Sequence, residues 1–524
     1  MSKIALLFHT IRYLKIKQIY FRGKYFINRK LQVNTHISTP KHIHPGSENI
    51  VLQPSLHNNK SFLGNKTFSF LNLEKSFVNG VDWNYPNYGK LWTYNLNYFE
   101  YLNQEEISKK DGLLLIDDFI QNIPNNVVGM EPYPTSLRCI NWIRFFVSNK
   151  IKNAKYDEIL WEQLKLLSKN IEYHLLGNHL LENGFALLFG AYYFNNLHLY
   201  HRAKKIVVKE LEEQILQDGA HFELSPMYHS VMLYRLLDCY NLVQLNDLFN
   251  KELLPLLKEK AENMLSWLER ITYENGNFPL LNDAAYKISP TPYELFNYAT
   301  SLNLAPNKDL KLDESGYRKF ESTDFELILD CGSIGPSYQP GHAHADTLSF
   351  ELYIRNRPVI VDTGTSTYEM NDIRFYERST NAHNTVTIDN LNSSQVWASH
   401  RVGKRAKVKL IKDDSNELIA SHDGFLKQGK ALHTRHIKIA ENEIWIKDDI
   451  QEMNGIAHFH FAPNEEIEIN DNRVIGRDFV FHFNNFIAIN AEESHYSPEF
   501  NKRIKNTDVQ ILFENILETR IIIR

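Results

Sequence analysis

The spacing of hydrophobic residues divides the chain into a helical part and a later part made of strands. Between about residues 80 and 300, apolar residues recur every three or four positions, as they do on one face of a helix. Examples are Leu164, Leu167, Ile171 and Leu175, then Val208, Leu211 and Ile215, and then Leu257, Ala261, Met264 and Leu268. Short polar turns separate these stretches, so the pattern predicts a bundle, solenoid or toroid of helical hairpins.

After about residue 316 the apolar segments become short and rich in β-branched and aromatic residues. They read FELILD, TLSFELYI, NTVTID, LHTRHIKIA, IAHFHFA and RIIIR, with turn sequences such as DDSN between them. This pattern is typical of an antiparallel sandwich or barrel. We therefore predict a helical domain over 81–315 and an antiparallel β domain over 316–524. Residues 1–80 should form a basic N-terminal helix followed by an irregular linker or covering segment.

Composition is that of a large globular protein. The chain has 524 residues, of which 43% are hydrophobic and 23% charged, which is enough for two or more domains. The net charge of -5 argues against a general nucleic-acid-binding protein. Cys139, Cys239 and Cys331 are far apart and odd in number, so we expect buried free thiols and neither a disulfide framework nor a cysteine zinc site.

The N-terminus is strongly basic. Residues 1–30 contain no Asp or Glu, and their cations are Lys3, Arg12, Lys15, Lys17, Arg22, Lys24, Arg29 and Lys30. A basic amphipathic helix can lie on an anionic membrane or dock on the rest of the protein, and the sequence leaves both open. We see no membrane span and no signal-peptide pattern. We therefore expect a bacterial-type protein in the cytoplasm or at the membrane periphery, and leave a periplasmic location open.

The stretch PGHAHADTLSFELYIRNRPVIVDTG carries several metal-ligand and proton-transfer side chains. His342, His344 and Asp346 alternate at the entry of a predicted strand, and Asp362 and His383 follow. On an extended chain the first three share one face with the apolar residues of that strand. Imidazole and carboxylate groups suit zinc, although the spacing is not that of a standard zinc motif. Structural histidines that are fully hydrogen-bonded remain the alternative.

The helical half contains three further polar groups of residues. GNHLLENGFALL places Asn178, His179 and Glu182 in an otherwise apolar helix, where a buried polar network is the alternative interpretation. DGAHFELSPMYHS leads into the next helix and carries Tyr228, whose hydroxyl lies either free or in the core. EPYPTSLRCINWI adds Arg138.

Taken in order, these motifs resemble the heparinase II/III-like family of polysaccharide lyases. The series is NHLLENG, DGAHFELSPMYH, GHAHADTLSFEL, VDTGTSTY and AHNTVTID, and the resemblance covers roughly residues 80–420. It implies an incomplete (α/α) toroid joined to an antiparallel β-sandwich, with the substrate in the cleft between them. It also implies β-elimination at a uronic acid, in which the C5 proton is removed and the C4–O bond breaks. An acidic polysaccharide would then be the partner.

The resemblance also implies roles for single residues. Asn178 and His179 match the pair that neutralises the substrate carboxylate, and Tyr228 matches a catalytic tyrosine. His342 matches a histidine base, and we expect Tyr228 and His342 to approach the substrate from two sides. Two substrate-binding residues, Arg138 and Glu182, are implied less directly.

A structural zinc ion is the implied cofactor, and its ligands would be His344, Asp362 and His383. The zinc would fix the loop that carries His342. Two other functions remain open at this point: a non-catalytic glycan-binding or assembly protein on the same scaffold, and a metal-dependent glycan hydrolase. The uronate polymer (glucuronan, alginate, a glycosaminoglycan or a capsule-type polymer) and the oligomeric state are not determined by the sequence.

Overall fold

The computed structural model describes residues 3–31 and 50–524, and part of the predicted irregular segment, 32–49, lies outside the described residues. The α-helices are α1 (Lys3–Ile11), α2 (Ile16–Lys30), α3 (Gly89–Tyr98), α4 (Lys109–Asn122), α5 (Pro132–Ser148), α6 (Ala154–Lys169), α7 (Gly177–Tyr193), α8 (Leu197–Gln214), α9 (Pro226–Leu245), α10 (Leu254–Ile271), α11 (Pro292–Ser301) and α12 (Asp372–Glu377). The strands are β1 (Phe62–Gly64), β2 (Thr67–Phe70), β3 (Leu73–Ser76), β4 (Tyr317–Glu321), β5 (Phe325–Asp330), β6 (Phe350–Ile354), β7 (Arg357–Ile360), β8 (Val386–Ile388), β9 (Val396–Trp397), β10 (Arg401–Val402), β11 (Val408–Asp413), β12 (Glu417–His422), β13 (His433–Ala440), β14 (Glu443–Phe461), β15 (Glu468–Asn470), β16 (Arg473–Ile475), β17 (Phe479–Glu499) and β18 (Lys502–Ile523).

Helices α3 to α11 form an incomplete (α/α) toroid. Polar residues cap several of them with a side-chain oxygen that accepts a backbone N–H, which satisfies an otherwise unpaired donor. These caps are Ser108, Asn153, Asn196, Ser225 and Thr291. Helix α7 is buried on nearly every side, between α5, α8 and α9. Gly190 allows α7 to pack closely on α6, because a Cβ at this position would lie only 2.4 Å from a methyl group of Leu164 on α6.

The β domain is a sandwich built largely from one bent antiparallel sheet. Its order is β15-β16-β17-β18-β14-β7-β6-β5-β4, with β11, β12 and β13 continuing from one half of β14 and β8 pairing with the other half. The register of β14 and β18 shifts between Asp449 and Asn454, an irregularity of the kind that bends long strands. The apolar residues of both layers face each other and form one core cluster.

A small meander precedes the toroid, where the sequence indicated an irregular segment. Strands β1, β2 and β3 pair in order and antiparallel. Their two turns place Asn65 and Lys66, and then Leu71 and Asn72, at positive φ, as two-residue hairpin turns of the mirror-image type require. Each strand has only three or four residues, so an alternating pattern is too short to be recognised in the sequence.

The segment between α10 and α11 joins the two domains. Helix α11 ends at Ser301 and strand β4 begins at Tyr317, but residues 272–291 already reach the sandwich. The carboxylate of Glu351 accepts hydrogen bonds from the Tyr273 hydroxyl and the Leu280 backbone N–H, both at 3.0 Å. Burial raises the pKa of Glu351 to about 8. Residues 272–291 therefore contact strand β6 of the sandwich.

The basic N-terminus forms two helices, and they dock on both domains. Helix α1 contacts β10, where the Thr10 hydroxyl lies 3.3 Å from the Val402 carbonyl. Helix α2 contacts the toroid through Gln18, whose side-chain amide donates to the Leu175 carbonyl at 3.1 Å. Lys15 pairs with Glu213 of α8. Both helices therefore have one face on the protein body.

A buried ion pair ties the sandwich to the loops of the inter-domain cleft. Arg435 on β13 donates to both carboxylate oxygens of Asp448 on β14, at 2.8 and 3.0 Å. Its remaining amino group donates to the carbonyls of Leu348 and Asn384, at 2.6 and 2.8 Å. Leu348 has a φ of 65°, an unusual value for a branched residue. Arg435 therefore satisfies a buried carboxylate and also holds a strained loop.

We expect Arg435→Met to destabilise the fold strongly, because it leaves Asp448 buried without its main counter-ion. The free energy of unfolding should fall by about 3–5 kcal/mol. Denaturant unfolding measures this change. Lys438→Met on the same strand is the matched control, since Lys438 is exposed and its loss should change stability by less than about 0.5 kcal/mol. Equal stabilities of the two variants would contradict the assignment.

Candidate active site

A cleft of about 590 Å³ lies between the toroid and the sandwich. Residues from both domains line it, and they include four of the predicted site residues: Asn178, His179, Tyr228 and His342. A second cavity of about 380 Å³ shares six lining residues with it and continues toward the β1–β3 meander. Tyrosines and other aromatic residues form much of the wall. Because they share lining residues, the two cavities are parts of one groove.

The toroid contributes Asn178 and His179 from the first turn of α7. The ring of His179 packs against Tyr133 at a tilt of 36°, with 4.3 Å between centroids, and its Nδ1 donates to Glu172 at 3.1 Å. Burial by itself would lower the pKa of His179, but Glu172 outweighs it and raises the pKa above its usual value. The backbone N–H of Asn178 donates to the Glu223 carboxylate at 3.1 Å, which caps the helix. The imidazole of His179 and the amide of Asn178 therefore both line the cleft.

Tyr228 lies on the first turn of α9, and its hydroxyl is 3.2 Å from that of Tyr368. Burial raises the pKa of the Tyr228 hydroxyl, so it is protonated at neutral pH. Its ring packs against the imidazole of His342, with 3.8 Å between the ring centroids and 30° between the planes. No sugar fits between two rings at that separation. The expectation that Tyr228 and His342 approach a substrate from two sides therefore needs correction, because they lie on the same side.

His342 is held in one orientation by Asp283. Its Nδ1 donates to Asp283 Oδ2 at 3.0 Å, and its Nε2 lies 3.6 Å from Glu223 Oε2. The side chain of His342 is 16% exposed, so the ring can still meet a ligand in the cleft. Since Nδ1 carries the donated hydrogen, the neutral ring has its lone pair on Nε2.

Asp283 is the central acceptor of the site, and the sequence analysis missed it. Arg374 on α12 donates to both of its oxygens, at 2.5 and 2.8 Å, and His344 Nε2 donates to Oδ1 at 2.8 Å. Burial alone would raise the pKa of Asp283, but Arg374 and the two histidines hold it well below its usual range. In the sequence Asp283 is a single acid in FPLLNDAAY, with no spacing that relates it to His342 or Arg374.

Arg138 does not line the cleft, so its predicted contact with a substrate carboxylate needs correction. It is fully buried in α5, and its guanidinium donates to Gln163, Thr135 and the carbonyls of Asn97 and Gly129. All its donors are thus used inside the toroid. Arg138 therefore connects α5 to α6 and α3 and has a structural role.

Glu182 is also buried behind the cleft wall, which corrects its predicted substrate contact. Its carboxylate lies 3.6 Å from Arg235 Nε, and both oxygens lack a hydrogen-bond partner among the described residues. Burial raises the pKa of Glu182 to about 7, with Arg235 acting in the opposite direction. Arg235 in turn donates to Glu100 at 2.6 Å, and both of these residues line the second cavity.

The predicted zinc ligands lie next to one another but do not form a three-ligand cluster. His344 and His383 have ring centroids 5.3 Å apart, and His344 Nδ1 and His383 Nε2 are buried without a hydrogen-bond partner in the described part of the chain. These two nitrogens fit a metal ion. Asp362 is already engaged: its Oδ2 accepts from His383 at 2.7 Å, and its Oδ1 from the Gly364 N–H at 3.0 Å. It therefore orients His383, a correction to its predicted role.

Within residues 3–31 and 50–524, two other groups bring three ligand atoms within 4.8 Å of one another. One consists of Asp283, His342 and His400 in the cleft, and the other of His458, His460 and Asp508 in the sandwich. The protein thus has groups of residues that could hold a metal ion.

Two family models match the chain in sequence. The model described as Heparinase II/III N-terminus matches residues 135–311, and the one described as Heparinase II/III-like, C-terminal, matches residues 305–522. The chain is similar to a heparin-sulfate lyase of Pedobacter heparinus, with 28% identity over 207 residues, 35% of this chain and 31% of the relative. It is also similar to a heparin-sulfate lyase of Bacteroides stercoris, with 23% identity over 56% of this chain and 47% of the relative.

The chain therefore spans less than half the length of these two curated relatives. Its fold is that of a crystal structure of heparinase III, with a TM-score of 0.66 and 16% identity over 97% of this chain and 91% of that chain. A crystal structure of a heparan sulfate lyase from Pedobacter heparinus matches with a TM-score of 0.57 and 18% identity over 88% and 81% of the two chains. The toroid and the sandwich thus occur in the same arrangement in solved structures.

The raised pKa of Glu182 predicts that Glu182→Gln changes how stability depends on pH. The folded state binds the Glu182 proton more tightly than the unfolded chain does, so stability falls as pH rises from about 5 to above 7. The variant lacks this loss. Its free energy of unfolding relative to wild type should increase by about 2–3 kcal/mol between pH 5 and pH 8. Denaturant titrations at both pH values measure the difference.

Glu212→Gln is the control, because Glu212 lies exposed on the neighbouring helix α8. Its stability relative to wild type should be the same at both pH values. A Glu182→Gln variant that behaves in the same way would show that Glu182 is ionised in the fold and paired with Arg235.

Proposed function

The chain belongs to the heparinase II/III-like family, and on that premise we propose that it is a polysaccharide lyase that cleaves a uronate-containing glycan by β-elimination. One observation carries the proposal: Asn178, His179, Tyr228 and His342, from two domains, line a single groove. Tyr228 and His342 supply a proton donor and a proton acceptor in contact with each other. Glycan binding alone requires neither.

The first chemical task is to stabilise negative charge beside C5 of the uronate. The proton on C5 is weakly acidic, and its removal becomes feasible only when the neighbouring carboxylate is neutralised. The imidazole of His179, with its raised pKa, and the side-chain amide of Asn178 serve this purpose. Glu172 favours the protonated form of His179 and orients its ring before substrate binds. The donors are therefore in place before charge develops.

The proton transfers fall to His342 and Tyr228. His342 Nε2 takes the C5 proton, and its Nδ1–H stays bonded to Asp283, which stabilises the imidazolium. The C5–H electrons form the C4=C5 double bond, and the C4–O bond breaks. The Tyr228 hydroxyl, protonated because of its raised pKa, gives its proton to the leaving oxygen.

The position of the two rings favours syn elimination. The rings of Tyr228 and His342 are in contact, so both reach the sugar from one face. The C5 hydrogen and the O4 leaving group must then be cis. Glucuronate linked through O4 has this configuration, whereas its C5 epimer iduronate has them trans. We therefore propose a 4-linked glucuronate-type residue at the cleavage site.

Tyr228→Phe should lower turnover by about 100-fold or more, because it removes the proton donor to the leaving group. The substitution keeps the ring and should leave thermal stability nearly unchanged. A panel of acidic polysaccharides (glucuronan, alginate, glycosaminoglycans and capsule-type polymers) identifies a substrate through the ultraviolet absorbance of new unsaturated ends. Turnover is then compared between wild type and variant.

Tyr293→Phe is the control, since Tyr293 is an exposed tyrosine outside the groove and should keep wild-type turnover. A Tyr228→Phe variant that also keeps wild-type turnover would place the acid elsewhere. Chain cleavage without unsaturated ends would identify a hydrolase and reject the elimination.

We also propose that a structural zinc ion binds between His344 and His383. The two buried imidazole nitrogens without a hydrogen-bond partner support this, since leaving them unpaired costs free energy. Asp362 orients His383 from behind, an arrangement common for zinc-binding histidines. The ion would fix the loop that carries His342 and take no part in proton transfer.

Protein prepared without chelator should contain about one zinc ion per chain, as measured by elemental analysis. His383→Ala should remove the zinc and lower the melting temperature, because the cross-link between two loops is lost. His436→Ala is the control, since His436 is a half-buried histidine on β13 that pairs with Glu417. A zinc content near zero, together with a melting temperature that EDTA does not change, would reject the site.

A further inference from the structure

The two N-terminal helices carry an unusual concentration of exposed apolar side chains. Of the 24 large apolar side chains that are exposed in the described residues, ten lie in residues 3–31. They are Ile4, Leu7, Phe8, Ile11, Ile16, Ile19, Tyr20, Phe26, Ile27 and Leu31. Ile4, Phe8, Ile16 and Phe26 are 64–85% exposed. Single exposed apolar residues are ordinary, but a concentration of ten on two consecutive helices indicates an interaction surface.

These residues occupy one face of each helix. Ile4, Leu7, Phe8 and Ile11 of α1 follow the spacing i, i+3, i+4, i+7, and the apolar residues of α2 recur in the same way. The opposite face of α2 is used against the protein, where Gln18 is buried and Phe21 packs on Tyr173 at 4.9 Å. The helix is therefore already packed on the protein through its other face, and its apolar face points to solvent.

The charged residues around this apolar face indicate what it binds. Residues 1–30 contain no acidic side chain. Arg12, Arg22, Lys24 and Lys30 are exposed beside the apolar residues. Apolar side chains with cations at the margin are the composition of helices that lie in a lipid–water interface and attract anionic headgroups. None of the described helices is long and apolar enough to span a membrane.

We propose that α1 and α2 bind the surface of an anionic lipid bilayer, lying in its plane. The apolar side chains enter the acyl boundary, and the cations meet the phosphate groups. This binding is independent of the proposed lyase activity.

The position of the helices relates this surface to the groove. Gln18 holds the backbone carbonyls of Leu175 and Tyr338, at 3.1 and 3.4 Å. Leu175 itself lines the groove, and so does Gln339, the neighbour of Tyr338. A bilayer on α1 and α2 would therefore lie beside one rim of the groove. A glycan that is still attached to the membrane would be within reach.

Flotation with lipid vesicles tests the proposal on the full chain. The protein should float with vesicles of phosphatidylcholine and phosphatidylglycerol in a 7:3 ratio, and much less with phosphatidylcholine alone. Phe8→Ser/Phe26→Ser should weaken the binding by about tenfold or more. Lys24→Glu/Lys30→Glu should weaken it by roughly 25-fold or more, because each cation near an anionic surface contributes about fivefold.

Val78→Ser/Tyr293→Ser is the matched control, because these two side chains are 91% and 72% exposed and lie outside α1 and α2. It should float like the wild type. All variants should keep the wild-type melting temperature, which shows that the helices remain folded on the body.

Three results would overturn the proposal. The wild type would fail to float with anionic vesicles, or the Phe8→Ser/Phe26→Ser variant would float as well as the control. Alternatively, light scattering would show a wild-type dimer that this variant dissociates, which would assign the face to self-association. Loss of lyase activity with retained flotation would count only against the proposed function, so the two failures are distinguishable.

Discussion

The buried carboxylate of Asp283 is the interaction on which the site depends. It comes from the toroid side of the chain and accepts hydrogen bonds from three side chains of the sandwich domain, those of Arg374, His342 and His344. Removing a carboxylate from water is unfavourable, and only full hydrogen bonding with a cation offsets this cost. That condition fixes the positions of all four side chains at once. The relative placement of the two domains and the orientation of His342 are therefore two results of one electrostatic requirement.

The architecture could largely be predicted from the sequence, because helices and strands repeat their hydrophobic residues with different periods. The toroid and the sandwich follow from that difference, together with the resemblance to a family. The β1–β3 meander could not be predicted, since strands of three or four residues leave no period. Asn178, His179, Tyr228 and His342 were assigned through the resemblance of their motifs to those of the family, and all four line the groove.

The less direct assignments of Arg138 and Glu182 failed, since both side chains are fully buried. A polar residue in an apolar helix can face a ligand or another helix, and only tertiary structure distinguishes these cases. Asp283 and Arg374 were missed for the opposite reason. They are 91 residues apart, and neither lies in a conspicuous motif. Their importance comes from the contact between domains, which no local pattern records. The contact of Tyr228 with His342 is likewise a property of the closed cleft.

The N-terminal helices touch both walls of the groove, and this has a mechanical consequence. Helix α1 is bonded to the sandwich domain through Thr10. Gln18 of α2 is bonded to both domains, since its side-chain amide donates to Leu175 in the toroid and to Tyr338 in the sandwich domain. The two helices therefore connect the toroid and the sandwich domain across the groove. Any widening of the groove must therefore break one of the two hydrogen bonds of Gln18 or detach α1 from the sandwich domain. A surface that binds α1 and α2 therefore also changes the free energy required to open the groove.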